Sequence, residues 1–158
     1  MNTRSGRVFN VAAMAALLSF FLLVMPGTAM ALNHLFVDNG DGTVTVINGQ
    51  MWTKKADLFD RETWHTASNA CKSLSISGIS GWRLPTDIEL NYLCNYLRRG
   101  HPFDGFFYSE YYWTGLLDLR MEEQKATARV VNMRECTTGN LSIDIHVRLG
   151  VWCVRDRN

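Results

Sequence analysis

Proline is scarce in this chain. Of 158 residues only Pro26, Pro85 and Pro102 are proline. No stretch rich in Pro, Gly or Ser divides the sequence, and no repeat or low-complexity tract appears, so a string of modules on flexible linkers is excluded. No charge of one sign dominates. Lys and Arg number 16 and Asp and Glu 15, and setting aside Arg4 and Arg7 leaves the acids ahead by one. A chain so balanced does not carry the overall basic excess of a nucleic-acid binder. The histidines, His34, His65, His101 and His146, are scattered. No Ser or Cys stands in a nucleophile elbow, and no two cysteines are close enough to begin a metal-binding pair.

What is present begins at the front. Arg4 and Arg7 precede an almost unbroken apolar run from Val11 to Met25. Pro26 and Gly27 end it, and Ala29-Met30-Ala31 supplies the small residues that a signal peptidase needs. The run is short for a membrane span of about 20 residues. Residues 1–31 therefore read as a secretory signal peptide, and residues 32–158 as one exported domain, periplasmic or extracellular, with no membrane association after cleavage. No Cys follows the cleavage point, which argues against a lipid anchor. All four cysteines, Cys71, Cys94, Cys136 and Cys153, lie in the exported part. An even number in an oxidising compartment predicts two disulfides, with three pairings open.

The domain opens with strand and turn signals. Thr43-Val44-Thr45-Val46-Ile47 is β-branched throughout and lies between Asn/Asp/Gly turns. Thr63 is a good N-cap for a first helix whose Ala67, Ala70, Cys71 and Leu74 share one face. Trp82-Arg83-Leu84-Pro85 is short and extended, since proline biases Leu84 away from helix. Thr86 and Glu89 form a capping box for a second helix with Leu90, Leu93, Cys94 and Leu97 on one face. Arg98-Arg99 is read as its last turn, opposing the helix dipole, and Gly100 closes it. Strands are predicted at Tyr111–Thr114, Ala126–Val131, Leu141–Val147 and Val151–Val154, with loops over Gly115–Lys125 and Asn132–Asn140. Strands, two helices, then strands make an α+β domain with a mainly antiparallel sheet.

Several stretches, in order, resemble the DUF1566 family, the C-terminal domain of the Legionella collagen-like adhesin and its bacterial relatives. They are Phe36-Val37-Asp38-Asn39-Gly40-Asp41-Gly42-Thr43, Met51-Trp52, Gly81-Trp82-Arg83-Leu84-Pro85-Thr86, Tyr111-Tyr112-Trp113 and Cys153-Val154-Arg155. The resemblance implies a C-type-lectin-like fold, related to the sulfatase-modifying domain. It implies a Cys71–Cys153 bond between the first helix and the last strand, which leaves Cys94–Cys136 as the second. Family positions with a structural role are then Asp38, Gly40, Asp41, Gly42, Trp52, Trp82, Arg83, Pro85, Trp113 and Arg155. Two departures stand out: Trp152 occupies a position where the family usually has Arg, and residues 132–145 match no family pattern.

The front turn invites a calcium reading that its spacing refuses. Counting from Asp38, Gly40 and Thr43 fall where a calcium loop needs an oxygen ligand and a glycine. The calcium-lectin triplets E-P-N and Q-P-D are absent. No metal and no cofactor is expected; a glycine turn explains the letters. Trp52, Trp82, Trp113 and Trp152 are read as core, Trp64 as freer. Arg83, between apolar neighbours, is read as one half of a structural ion pair. Arg120, Lys125, Arg134 and Arg148, in or beside the late loops, are the candidate ligand-binding residues, because Arg forks suit sulfate and carboxylate. The reading is an exported non-catalytic recognition module. Its partner would be a polysaccharide, including sulfated glycans as the resemblance implies, or a surface protein, with oligomerisation left open. The alternatives are an envelope module without a glycan site and a divergent enzyme of the sulfatase-modifying type.

Overall fold

The computed structural model describes residues 35–105, 110–118, 126–137 and 141–156. The leader, Tyr108, Arg120 and Lys125 lie outside the described residues. The first sheet is antiparallel, with strands β1 (Phe36–Asp38), β2 (Thr43–Val46), β3 (Met51–Thr53) and β7 (Val154–Arg155) in that order. The second, also antiparallel, is β4 (Tyr111–Asp118), β5 (Thr127–Asn132) and β6 (Ser142–Asp144). Helices α1 (Trp64–Ser73) and α2 (Asp87–Leu97) lie between them in the sequence. Among the described residues no helix is long and apolar enough to cross a membrane.

The turn before β2 is built from glycine and aspartate. Gly40 and Gly42 both have positive φ, 74° and 90°, which costs a side-chain-bearing residue steric energy and glycine none. The Asp38 carboxylate accepts from the Gly40 amide at 3.0 Å and from Lys54 at 2.8 Å. Asp41 accepts from the Thr43 amide at 3.0 Å and the Thr43 hydroxyl at 2.6 Å. Both carboxylates thus hold the chain reversal together.

Helix α2 starts as its sequence dictates. The Thr86 hydroxyl accepts from the Glu89 amide at 3.2 Å, and the Glu89 carboxylate accepts from the Thr86 amide at 2.7 Å. Helix α1 differs. The Thr63 hydroxyl caps no amide; it hydrogen-bonds Thr66 Oγ1 instead, at 3.0 Å. Packing, rather than capping, holds α1: Ala67 and Cys71 are fully buried, and small side chains there let the helix approach the sheet closely.

The period of two along β4 and β5 buries both faces of the second sheet. Trp113, Ala128 and Val130 pack with Ala67 and Cys71 of α1. Tyr112 and Val131 pack with Leu90, Leu93 and Leu97 of α2. Trp52, Trp82, Trp113 and Trp152 are each at most 2% exposed. Buried indole N–H groups need acceptors, and three find backbone carbonyls: Trp82 that of Ile79, Trp113 that of Glu62 and Trp152 that of Thr53. Trp52 Nε1 has none. Trp64, read as freer, is half-buried and donates to the Thr114 carbonyl at 2.8 Å.

Two disulfides join helices to the β structure: Cys71–Cys153 and Cys94–Cys136. The first is the pair that the resemblance implies, and the second is the pair it leaves.

Four boundaries depart from the sequence reading. Strand β4 runs on through Gly115 to Asp118, where a loop was expected, because a register shift between Trp113 and Leu117 carries the pairing past Gly115. The predicted strand Leu141–Val147 shrinks to three residues, as Asp144 turns the chain by accepting from the His146 amide. The predicted strand Val151–Val154 is β only at its end. Just ahead of it Gly150 exchanges hydrogen bonds with β4, accepting from the Trp113 amide and donating to Tyr111. Finally, α2 ends at Leu97, so Arg98 and Arg99 follow the helix rather than form its last turn.

Candidate functional site

Arg83 shows how an arginine in this fold becomes structural. Its guanidinium donates to both Glu89 carboxylate oxygens, at 2.8 and 2.7 Å, and to Asp156 beyond β7. Gln50 donates to the same two carboxylates. Burial pushes the Glu89 carboxyl up, but the Arg83 fork and the Thr86 amide bring it below its ordinary range. Arg83 itself is raised, first by its bond to Glu89, and Asp156 is lowered by Arg83. The network ties α2, β3 and the segment after β7 together. Arg155, beside it on β7, packs its guanidinium against the Met51 sulfur at 3.9 Å. Pro85 accepts from the Gly115 amide at 2.7 Å, which fixes the start of α2 against β4.

The candidate ligand-binding arginines divide. Arg120 and Lys125 fall outside the described residues. Arg148 is exposed and lies 3.7 Å from Glu62, just ahead of α1. Nearby, Arg61 pairs with Glu110, beside a cleft of about 270 Å³ lined by Asp57, Phe59, Asp60, Arg61, Glu110 and Tyr112. That cleft holds three carboxylates to one guanidinium. Its charge disfavours the anions that the arginine reading had in view.

Arg134 has other neighbours. It sits two residues beyond β5, and its carbonyl accepts from Arg98 Nη2 at 2.9 Å. Arg99 follows, its guanidinium 5.8 Å from the centre of the Tyr96 ring. The Tyr92 and Tyr96 rings lie 4.6 Å apart on α2, and their hydroxyls hydrogen-bond at 2.8 Å. Tyr92 is 45% exposed, and Arg98, Arg99 and Arg134 are all exposed. The sequence pointed to Arg134 but assigned Arg98 and Arg99 only a helix-end role, and Tyr92 and Tyr96 were missed. The spacing of four between the tyrosines was the available signal, since it puts both on one helical stripe.

Three features hold the turn after β5 against α2: the Cys94–Cys136 bond, an Asn91 side-chain donation to the Cys136 carbonyl, and the Arg98–Arg134 hydrogen bond. Cys136 has a positive φ of 52°, a conformation that a side-chain-bearing residue adopts only when its surroundings hold it.

Among the described residues no group of three or more His, Cys, Asp or Glu is placed to hold a metal ion, and all four cysteines are in disulfides. The architecture is that of a disulfide-braced α+β domain. Residues 43–155 match the family model described as the Lcl C-terminal domain, and the chain belongs to that family. No curated protein matches it significantly.

Proposed function

We propose that this chain is an exported, non-catalytic recognition module of the cell envelope that binds a polysaccharide. Residues 1–31 would be its cleaved leader and residues 32–158 its folded part. The observation that carries this reading is the family match over residues 43–155, a domain of collagen-like adhesins. The order of helix, extended Trp82–Leu84, helix and sheet, with the Cys71–Cys153 bond linking the first helix to the segment entering β7, supports a C-type-lectin-like fold. Engagement of every cysteine supports recognition over the cysteine-centred chemistry of the sulfatase-modifying relatives. Binding in such a module rests on surfaces displayed by a rigid frame, while fold alone names no ligand.

A glycan array probed with the secreted chain, with and without chelator, tests the reading. Selective, chelator-insensitive binding to a polysaccharide class is expected. Binding to no glycan, with retention of an envelope protein instead, would replace it by a module without a glycan site.

A further inference from the structure

We propose that the Cys94–Cys136 bond is a site of thiol–disulfide exchange, opened by a dithiol reductant that attacks at Cys136, while Cys71–Cys153 stays closed. Access separates the two bonds. Cys71 and Cys153 are 0% and 1% exposed and lie in the core with Trp82, Trp113 and Val151. Cys94 is 0% exposed, but Cys136 is 8% exposed and stands in a surface turn between exposed Glu135 and Thr137. Exchange needs a sulfur that a thiolate can reach, and among the four cysteines Cys136 is the nearest to solvent. Arg134 lies two residues before it, and Arg98 donates to the Arg134 carbonyl. These two cations favour the approach of a thiolate, with Glu135 as the opposing charge.

The backbone supplies a second difference. The turn after β5 is closed by the Asn132–Thr137 bridge and by the Cys136 amide, which donates to the Asn132 carbonyl at 3.0 Å. Its closing residue has a φ of 52° and is Cys136. Such left-handed positions suit glycine or asparagine, and a Cβ there carries steric energy. The bond to Cys94 and the Asn91 donation to the Cys136 carbonyl hold the residue in place. Reduction removes the stronger of these two restraints and lets the strain relax. No other cysteine has a positive φ.

The exchange balances. One thiolate of the reductant attacks Cys136 Sγ, the bond to Cys94 breaks, and a mixed disulfide forms at Cys136. Cys94 leaves as a thiolate and takes a proton from water. The second thiol of the reductant gives up its proton and displaces Cys136, which is protonated in turn. The reductant departs as a disulfide, oxidised by two electrons. The new Cys94 thiol has an acceptor at hand, because Cys94 Sγ lies 3.1 Å from the Met133 carbonyl oxygen. The domain stays folded through this. Cys71–Cys153 still ties α1 to the segment entering β7, and the turn keeps its own hydrogen bonds to Asn132. What changes is the attachment of the turn to α2, left to the Asn91 and Arg98 hydrogen bonds. Local opening there uncovers Met133, which is fully buried in the oxidised chain.

The test treats the folded, secreted full chain with dithiothreitol and, separately, with glutathione. Freed cysteines are alkylated and located by peptide mass spectrometry. With dithiothreitol, Cys94 and Cys136 should be labelled about tenfold or more faster than Cys71 and Cys153. Glutathione should be found on Cys136 and not on Cys94. The chain reduced at this bond alone should keep a cooperative melt at lower temperature, with faster amide exchange over residues 132–137. Cys94→Ser with Cys136→Ser, which lacks the bond from the start, should show the same exchange pattern. Reduction of both bonds at one rate, or of Cys71–Cys153 first, would overturn the proposal. Glutathione on Cys94 would overturn the point of attack. Selective reduction that leaves exchange over residues 132–137 unchanged would show that the bond does not hold the turn to α2.

Discussion

Arg98 donates from Nη2 to the carbonyl of Arg134, 2.9 Å away and 36 positions along the chain. The contact places a residue of the β5–β6 connection beside the end of α2, and the Cys94–Cys136 bond lies behind it. Replacing Cys94 and Cys136 together by Ser should therefore loosen the turn from the helix. Stability should fall by roughly 4 kcal/mol in the chain-entropy picture of cross-linking, read from denaturant unfolding. Replacing Cys71 and Cys153 by Ser should cost similar stability. An unfolding midpoint unchanged in either double variant would show that its bond does not stabilise the fold.

The Arg83 network predicts an acid dependence. Glu89 and Asp156 are both lowered in the folded chain. The unfolded chain then takes up more protons on the acid side, so their stabilisation is complete above about pH 5, past the unfolded carboxylate range, and is lost as pH falls through the depressed values. The melting temperature should drop in that window. Glu89→Gln should flatten the drop and lower the melting temperature near neutrality. Arg83→Met should do more damage, because it leaves Glu89 half-buried without its guanidinium. An unchanged acid profile in both variants would remove the network from the account.

The two turn glycines should respond differently to alanine. At Gly40 the positive φ is the whole cost, since a Cβ there meets nothing within 4 Å, and about 1 kcal/mol is expected. At Gly42 a Cβ would also come within 3.2 Å of Ile76 Cγ2, so Gly42→Ala should be the more damaging of the two in thermal unfolding.

Asp41 holds both the amide and the hydroxyl of Thr43. Asp41→Ala should cost about 1 kcal/mol, the usual worth of such bonds. Chelator should leave the melting temperature of wild type unchanged. A chelator-sensitive melt that Asp41→Ala abolishes would return the turn to the calcium reading.

How much of this was legible in the sequence depended on the range of the interaction. The α2 start was visible because a capping box is complete within four residues, Thr86 to Glu89. The burial of Trp52, Trp82, Trp113 and Trp152 followed from their strand-like settings. The continuation of β4 past Gly115 was hidden, because its irregular pairing with Ala128 and Thr127 depends on the partner strand. The division into two sheets was hidden for the same reason: the sequence reads Trp82 to Leu84 and Val151 to Val154 as extended, and only the long-range bridges Arg83 to Val154 and Tyr112 to Gly150 show which strand each segment meets. The arginines are the sharpest case. Arg134 and Arg148 look alike in a polar loop, yet one meets Arg98 and the other Glu62. No spacing rule encodes that difference.

The two disulfides are nested, with the 94–136 bond enclosed within the 71–153 bond. A chain that emerges from its N-terminus presents Cys71 and Cys94 first, and those two do not belong together. Cys71 must stay unpaired, or be released from a wrong partner by thiol exchange, until Cys153 arrives 82 positions later. Production of this domain thus depends on an oxidant that can wait or an isomerase that can correct, and a chain truncated before Cys153 would carry an orphan thiol in its first helix.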